Sequence, residues 1–142
     1  MYKPNIYLYP ESTMEIRMSV DFPQGGYITA SIPEYNEEWK VTADSNSLID
    51  GKYTYLYYES TQPDAWQKNY GWLIKSDELE DFFVPDLQEL GFNDHEIDDF
   101  TEYWIFRLNQ YEACLIYPQT KTNMDNLVEL NITPAPDQSL RY

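Results

Sequence analysis

Between Asp77 and Glu112 the chain carries Asp77, Glu78, Glu80, Asp81, Asp86, Glu89, Asp94, Glu96, Asp98, Asp99, Glu102 and Glu112 against one base, Arg107. Carboxylates at that density could hold a cation, act as an acid–base pair, or present a field to a basic partner. The metal reading centres on Asn93 to Asp99. An EF-hand loop needs alternating oxygen ligands, a central glycine and a closing glutamate, and the glycine is missing. On a helix Asp94, His95 and Asp98 fall near one another, yet acids at a helix start need no ligand to explain them. No metal and no cofactor is therefore assigned. The acid–base reading rests on Glu34, Glu37 and Glu38 beside Trp39, which could flank a sugar. A hydrolase of that kind needs one carboxyl buried enough to stay protonated, and acids are too plentiful here for spacing to identify it. The third reading is a docking face for a basic protein surface, carried by Glu80, Asp81, Asp94, Asp98, Asp99 and Glu102. Its plainer rival is a solvated helix face, because exposed helix faces are ordinarily charged.

The other reactive types are scarce. Cys114 is the one cysteine and His95 the one histidine, so an internal disulfide, a Cys-His zinc site and a multi-histidine site are excluded. Cys114 lies in the apolar run Ala113-Cys114-Leu115-Ile116 with no cationic neighbour to form a thiolate, and reads as a core residue. No glycine-rich phosphate loop, GxSxG or HExxH occurs. Aromatics are abundant, with 14 Tyr and 4 Trp. Flat amphipathic rings can stack on a glycan, and Trp66, Trp39, Tyr7, Tyr9, Tyr55 and Tyr57 are the candidates. Trp66, in the polar loop from Ser60 to Asn69, is the ring most suited to exposure. The alternative is that these rings fill a core.

A net charge of −16 repels phosphate backbones and anionic lipid, so direct nucleic-acid binding is disfavoured. No apolar run approaches the roughly 20 residues of a membrane span, and the first residues lack a signal-peptide core, so the chain reads as soluble. The length of 142 residues suits one domain over 1–142.

Those residues need elements to hold them. Met14 to Phe22 alternates apolar and polar with a period of two; Phe22-Pro23-Gln24-Gly25-Gly26 is a turn, and Tyr27 to Ile32 resumes the alternation, so the pair predicts a hairpin. Ile6 to Tyr9, Trp39 to Ala43, Lys52 to Glu59, Gly71 to Ile74, Glu112 to Tyr117 and Leu127 to Thr133 read as further strands, with a polar turn from Asp44 to Gly51. The echo between Tyr7-Leu8-Tyr9-Pro10-Glu11-Ser12-Thr13 and Tyr55-Leu56-Tyr57-Tyr58-Glu59-Ser60-Thr61, with a looser third copy ending at Thr120, does not extend into its flanks. It predicts one strand motif used three times, with Tyr7, Tyr9, Tyr53, Tyr55 and Tyr57 on a tyrosine-rich sheet face. From Ser76 the period becomes helical. Ser76 is the expected N-cap, Leu79, Phe82, Phe83, Leu87 and Leu90 follow until Gly91, and Pro85 predicts a kink or a restart of the helix. Asn93 with Glu96 resembles a capping box opening a second helix, whose apolar stripe is Ile97, Phe100, Trp104, Leu108 and Tyr111.

Lys3-Pro4-Asn5-Ile6-Tyr7-Leu8-Tyr9-Pro10, Val20-Asp21-Phe22, Ile32-Pro33 with Trp39-Lys40-Val41, Tyr57-Tyr58-Glu59, Gly71-Trp72, the Phe100 to Trp104 helix and Ile132-Thr133-Pro134 to Leu140-Arg141 together resemble a family of uncharacterised bacterial proteins. Many of its members look exported and continue past the equivalent of Arg141. The resemblance implies one domain trimmed at both ends and an exported or cell-envelope setting, and it carries no activity or site residue.

The expected fold is α+β: a mainly antiparallel sheet or sandwich with an acidic helical hairpin, about 76–111, packed on it. The expected function is non-enzymatic binding of protein, through the hairpin or the tyrosine face. A carbohydrate-binding module is the alternative, and an acidic inhibitor that mimics nucleic acid a further one.

Overall fold

The structure is a computed structural model that describes residues 4–139 and 141. Lys3 of the opening motif and Leu140 of the closing one lie outside the described residues. The described chain is α+β, with three helices and eight antiparallel strands in three sheets: β1 (Asn5–Ile6), β2 (Met14–Asp21), β3 (Tyr27–Ile32), β4 (Trp39–Ala43), β5 (Leu56–Thr61), β6 (Trp72–Lys75), α1 (Leu79–Leu90), α2 (Asp94–Leu108), β7 (Ala113–Ile116), α3 (Lys121–Leu127) and β8 (Glu129–Thr133). The chain divides into two compact units: Met1–Trp66 with Thr120–Asp137, and Gln67–Gln119 with Gln138–Tyr142.

The first unit is a sandwich of two three-stranded sheets, ordered β1-β5-β3 and β4-β2-β8. Alternation builds its core. Ile16, Met18 and Val20 of β2, Trp39, Val41 and Ala43 of β4, and Leu56 and Tyr58 of β5 point inward, while Glu15, Arg17 and Lys40 stay in water. Trp39 is the largest fully buried side chain, at 2% exposure. Its indole Nε1–H donates to the Pro33 carbonyl (2.8 Å), and its ring meets Tyr35 and Tyr58 at 5.0 and 6.1 Å between centroids. The segment from Asp44 to Gly51 is a turn, as its polar residues require, but it also tucks the fully buried Ile49 into the core. The Asp44 carboxylate holds it by accepting from the Asn46 and Leu48 amides.

The β2–β3 hairpin does not form. β2 is a central strand with β4 on one side and β8 on the other, so neither of its edges is open to β3, which pairs with β5 in the opposite sheet. The Phe22-to-Gly26 turn instead carries the chain from one sheet to the other. A Cβ on Gly26, whose φ is +139°, would stand 2.5 Å from the Thr61 carbonyl oxygen at the end of β5. The shared motif also takes two conformations. β5 includes its second copy from Leu56, but β1 stops at Ile6, so Tyr7 to Thr13 lie outside any strand. In the third copy β7 ends at Ile116, and Thr120 caps α3 by accepting from the Asn123 amide.

The second unit is the helical hairpin on its own two-stranded sheet, β6 with β7. Leu79, Phe83, Leu87 and Ile97 are its buried centre, joined by Phe100, Ile105, Leu108, Ile74 and Ile116. The Asn93–Glu96 capping box is formed, each side chain accepting from the other's backbone amide at 2.8 and 2.9 Å. Gly91 ends α1 in the left-handed region (φ +103°), as only glycine does at little cost. Ser76 is not the N-cap. Its amide donates to the Glu112 carbonyl, extending the β6–β7 ladder, and a 3₁₀ turn from Ser76 to Glu78 leads into α1. α1 continues through Pro85, which sits on the exposed side, where water can satisfy the Asp81 carbonyl that loses its partner. Tyr111 falls beyond α2, which ends at Leu108, and is exposed.

Candidate functional site

Two surfaces emerge, one in each unit. In the hairpin unit an aromatic ladder runs inward from β6: Trp72 to Phe82 (5.4 Å), Phe82 to Phe83 (5.3 Å), Phe83 to Phe100 (5.1 Å), Phe100 to Trp104 (6.4 Å) and Trp104 to Tyr103 (5.0 Å). Arg107 caps it, its guanidinium 4.0 Å from the Tyr103 ring centroid. The one base between Asp77 and Glu112 is thus stacked on a ring at the cationic-favouring end of α2.

The opposite side of α2 is different. Asp94, Asp98 and Glu102 recur every fourth residue and are exposed, so the row advances about 6 Å along the helix axis at each step. The next position in that row is Phe106, which is 79% exposed. On α1, Glu80 and Asp81 are exposed as well. Asp99 is half-buried, with His95 Nε2 3.5 Å from its carboxylate. Five of the six predicted acids therefore face water and the sixth is partly covered. Among the described residues no group of three or more His, Cys, Asp or Glu is placed to hold a metal ion. Cys114 is a half-buried free thiol, opposite Ile74 in the β6–β7 ladder.

Phe106 escaped the sequence reading, yet its signal was present. It is out of phase with the stripe Ile97, Phe100, Trp104 and Leu108, and a large apolar residue off the buried phase of a helix has to face outward. The outer side of the β6–β7 sheet adds Leu73 and Leu115, directly opposite each other and 69% and 60% exposed. Their alternation with Ile74 and Ile116, both packed on the helices, is what turns them out.

The sandwich unit sorts the aromatic candidates. Trp39 is core and offers no face to a ligand. Trp66 is partly buried against the same core. Tyr9 is exposed, and Tyr7 meets Tyr55 edge-on with centroids 5.7 Å apart. Register explains that contact: Asn5 faces Tyr57 and Ile6 faces Leu56, so the next step brings Tyr7 opposite Tyr55, beyond the end of both strands. Tyr53, Tyr55 and Tyr57 remain half-buried on one side of their run while Leu56, Tyr58 and Ser60 fill the other. Together with Ile32, Lys52 and Thr54 they line an open hollow of about 320 Å³. It exists because β3 ends at Ile32, opposite Tyr57, leaving residues 52–55 without a β3 neighbour.

Comparison with protein-family models, with curated proteins and with solved structures finds no match for this chain. Among the described residues no helix is long and apolar enough to cross a membrane.

Proposed function

We propose that the protein is a non-catalytic binding domain that docks a basic protein partner on the outer face of α2. The observation that carries this reading is the row Asp94, Asp98, Glu102 and Phe106: three carboxylates that lead to the most exposed large apolar side chain of the hairpin. A buried aromatic anchor ringed by charge is the usual anatomy of a protein-binding hot spot, and charge of one sign steers the encounter with its complement. Solvation alone accounts for the acids but not for Phe106. The same residue separates this reading from a nucleic-acid mimic, which needs the carboxylate row uninterrupted. An exported setting for the interaction is what the resemblance carried by the opening Lys-Pro motif implies.

Titration with amphipathic Lys/Leu and Arg/Leu peptides at low and high salt tests the proposal. Binding should weaken steeply as salt rises, and Phe106→Ala should weaken it by about tenfold, the scale of a modest hot spot. Replacing Asp94, Asp98 and Glu102 with their amides should flatten the salt dependence. Absence of binding, or binding indifferent to salt, refutes the reading.

A further inference from the structure

The hollow in the sandwich unit is independent of the hairpin and has a chemistry of its own. Three of its six lining residues are tyrosines at alternate positions, Tyr53, Tyr55 and Tyr57. Their rings are held. Tyr57 donates its hydroxyl to Glu59 Oε1 (2.5 Å), Tyr55 rests on the edge of Tyr7, and Tyr53 carries the Lys52 ammonium 4.8 Å from its centroid. Rigid rings present apolar area at little entropic cost. Lys52, Thr54 and Ile32 complete the lining, adding a charged donor, a hydroxyl-bearing residue and an aliphatic one.

Charge narrows the ligand class. An overall −16 disfavours polyanions, and the Lys52 ammonium already on the tyrosine wall disfavours a second cation there. A neutral molecule with apolar faces for the tyrosines and hydroxyls for Lys52 and Thr54 fits this lining. At about 320 Å³ the hollow is at the small end of ligand pockets, sized for one or two rings rather than for an extended peptide. Proline-rich peptides, the other customary ligand of tyrosine-lined surfaces, use a longer groove and offer few groups to an ammonium and a hydroxyl. We infer that this hollow is a binding site for a neutral carbohydrate, one or two sugar rings packed against the tyrosine wall at Tyr55 and Tyr57 with hydroxyls hydrogen-bonded to Lys52 and Thr54.

The test is a heteronuclear NMR titration of the full chain with cellobiose, xylobiose, maltose and N,N′-diacetylchitobiose at millimolar concentration, with a proline-rich decapeptide and tetramethylammonium as comparators. At least one disaccharide should shift the amides of residues 52–57 and Ile32. Tyr55→Ala should weaken its binding by about tenfold, as loss of a stacking ring does. Lys52→Met, at an exposed position that leaves folding intact, should weaken it severalfold without changing the thermal melt. Shifts confined to other residues, binding unaltered by Lys52→Met, response to the decapeptide or tetramethylammonium instead, or silence from all four sugars would each overturn the assignment.

Discussion

The sandwich and the hairpin unit use the same kinds of residue in opposite ways. In the sandwich the largest rings go inward: Trp39 and Tyr58 meet inside a core closed by two sheets, and Trp39 still finds a carbonyl for its indole N–H. In the hairpin unit one two-stranded sheet covers one side of two helices, and large apolar groups stay outside, with Phe106, Leu73 and Leu115 the most exposed. Twelve of the 25 acids fall between Asp77 and Glu112, beside those exposed groups. The difference separates a unit whose two tryptophans and Tyr58 are spent on its core, with tyrosines left toward its surface, from one whose surface keeps aliphatic area, an exposed phenylalanine and dense charge available to another molecule.

The contrast can be broken most severely at Trp39. Trp39→Ala should cost about 3–5 kcal/mol in chemical denaturation, because the emptied volume lies where Met18 and Tyr58 are already fixed; a cost under 1 kcal/mol would mean that the sandwich core is not the closed one described. Pro85→Ala has the opposite sign. It restores an amide donor to the Asp81 carbonyl inside α1 and should stabilise the protein by about 1–3 kcal/mol, read from the same denaturation curves. Asn93→Ala removes one half of the capping box and should cost about 1 kcal/mol, with reduced helicity by circular dichroism. The smallest effect on stability belongs to Phe106→Ala, within about 0.5 kcal/mol of wild type, since so exposed a ring contributes little to folding. A large loss there would place Phe106 in the fold and remove it from the binding surface.

Much of the architecture was legible because local rules act alone in places. The alternation of Met14 to Asp21, the limits of β3 and β4, the capping box at Asn93 and the stop at Gly91 each follow from the residues that form them. α3 was missed because its seven residues carry no amphipathic stripe beyond Leu127, and the strand expected from Leu127 begins two residues later. Of the acids singled out, Asp99 is half-buried and the others face water, and the ring candidates were not resolved: Trp39 and Tyr57 lie in similar alternating strands, and one is core while the other lines a hollow. Phe106 was readable from its phase and Lys52 was not.

The sequence by itself determined the α+β class, the concentration of charge on the helices and the elements whose signals are short-range, because capping, periodicity and turn chemistry depend on residues a few positions apart. Only the tertiary structure decided which strands pair, and with that which aromatic faces are covered. β2 rejects β3 because β4 and β8 take both of its edges, and the tyrosine hollow opens because β3 stops one residue short of Pro33. Alternation tells a strand which side to bury and leaves open which neighbour will bury it, so exposure of a ring is settled by partners far away in the chain.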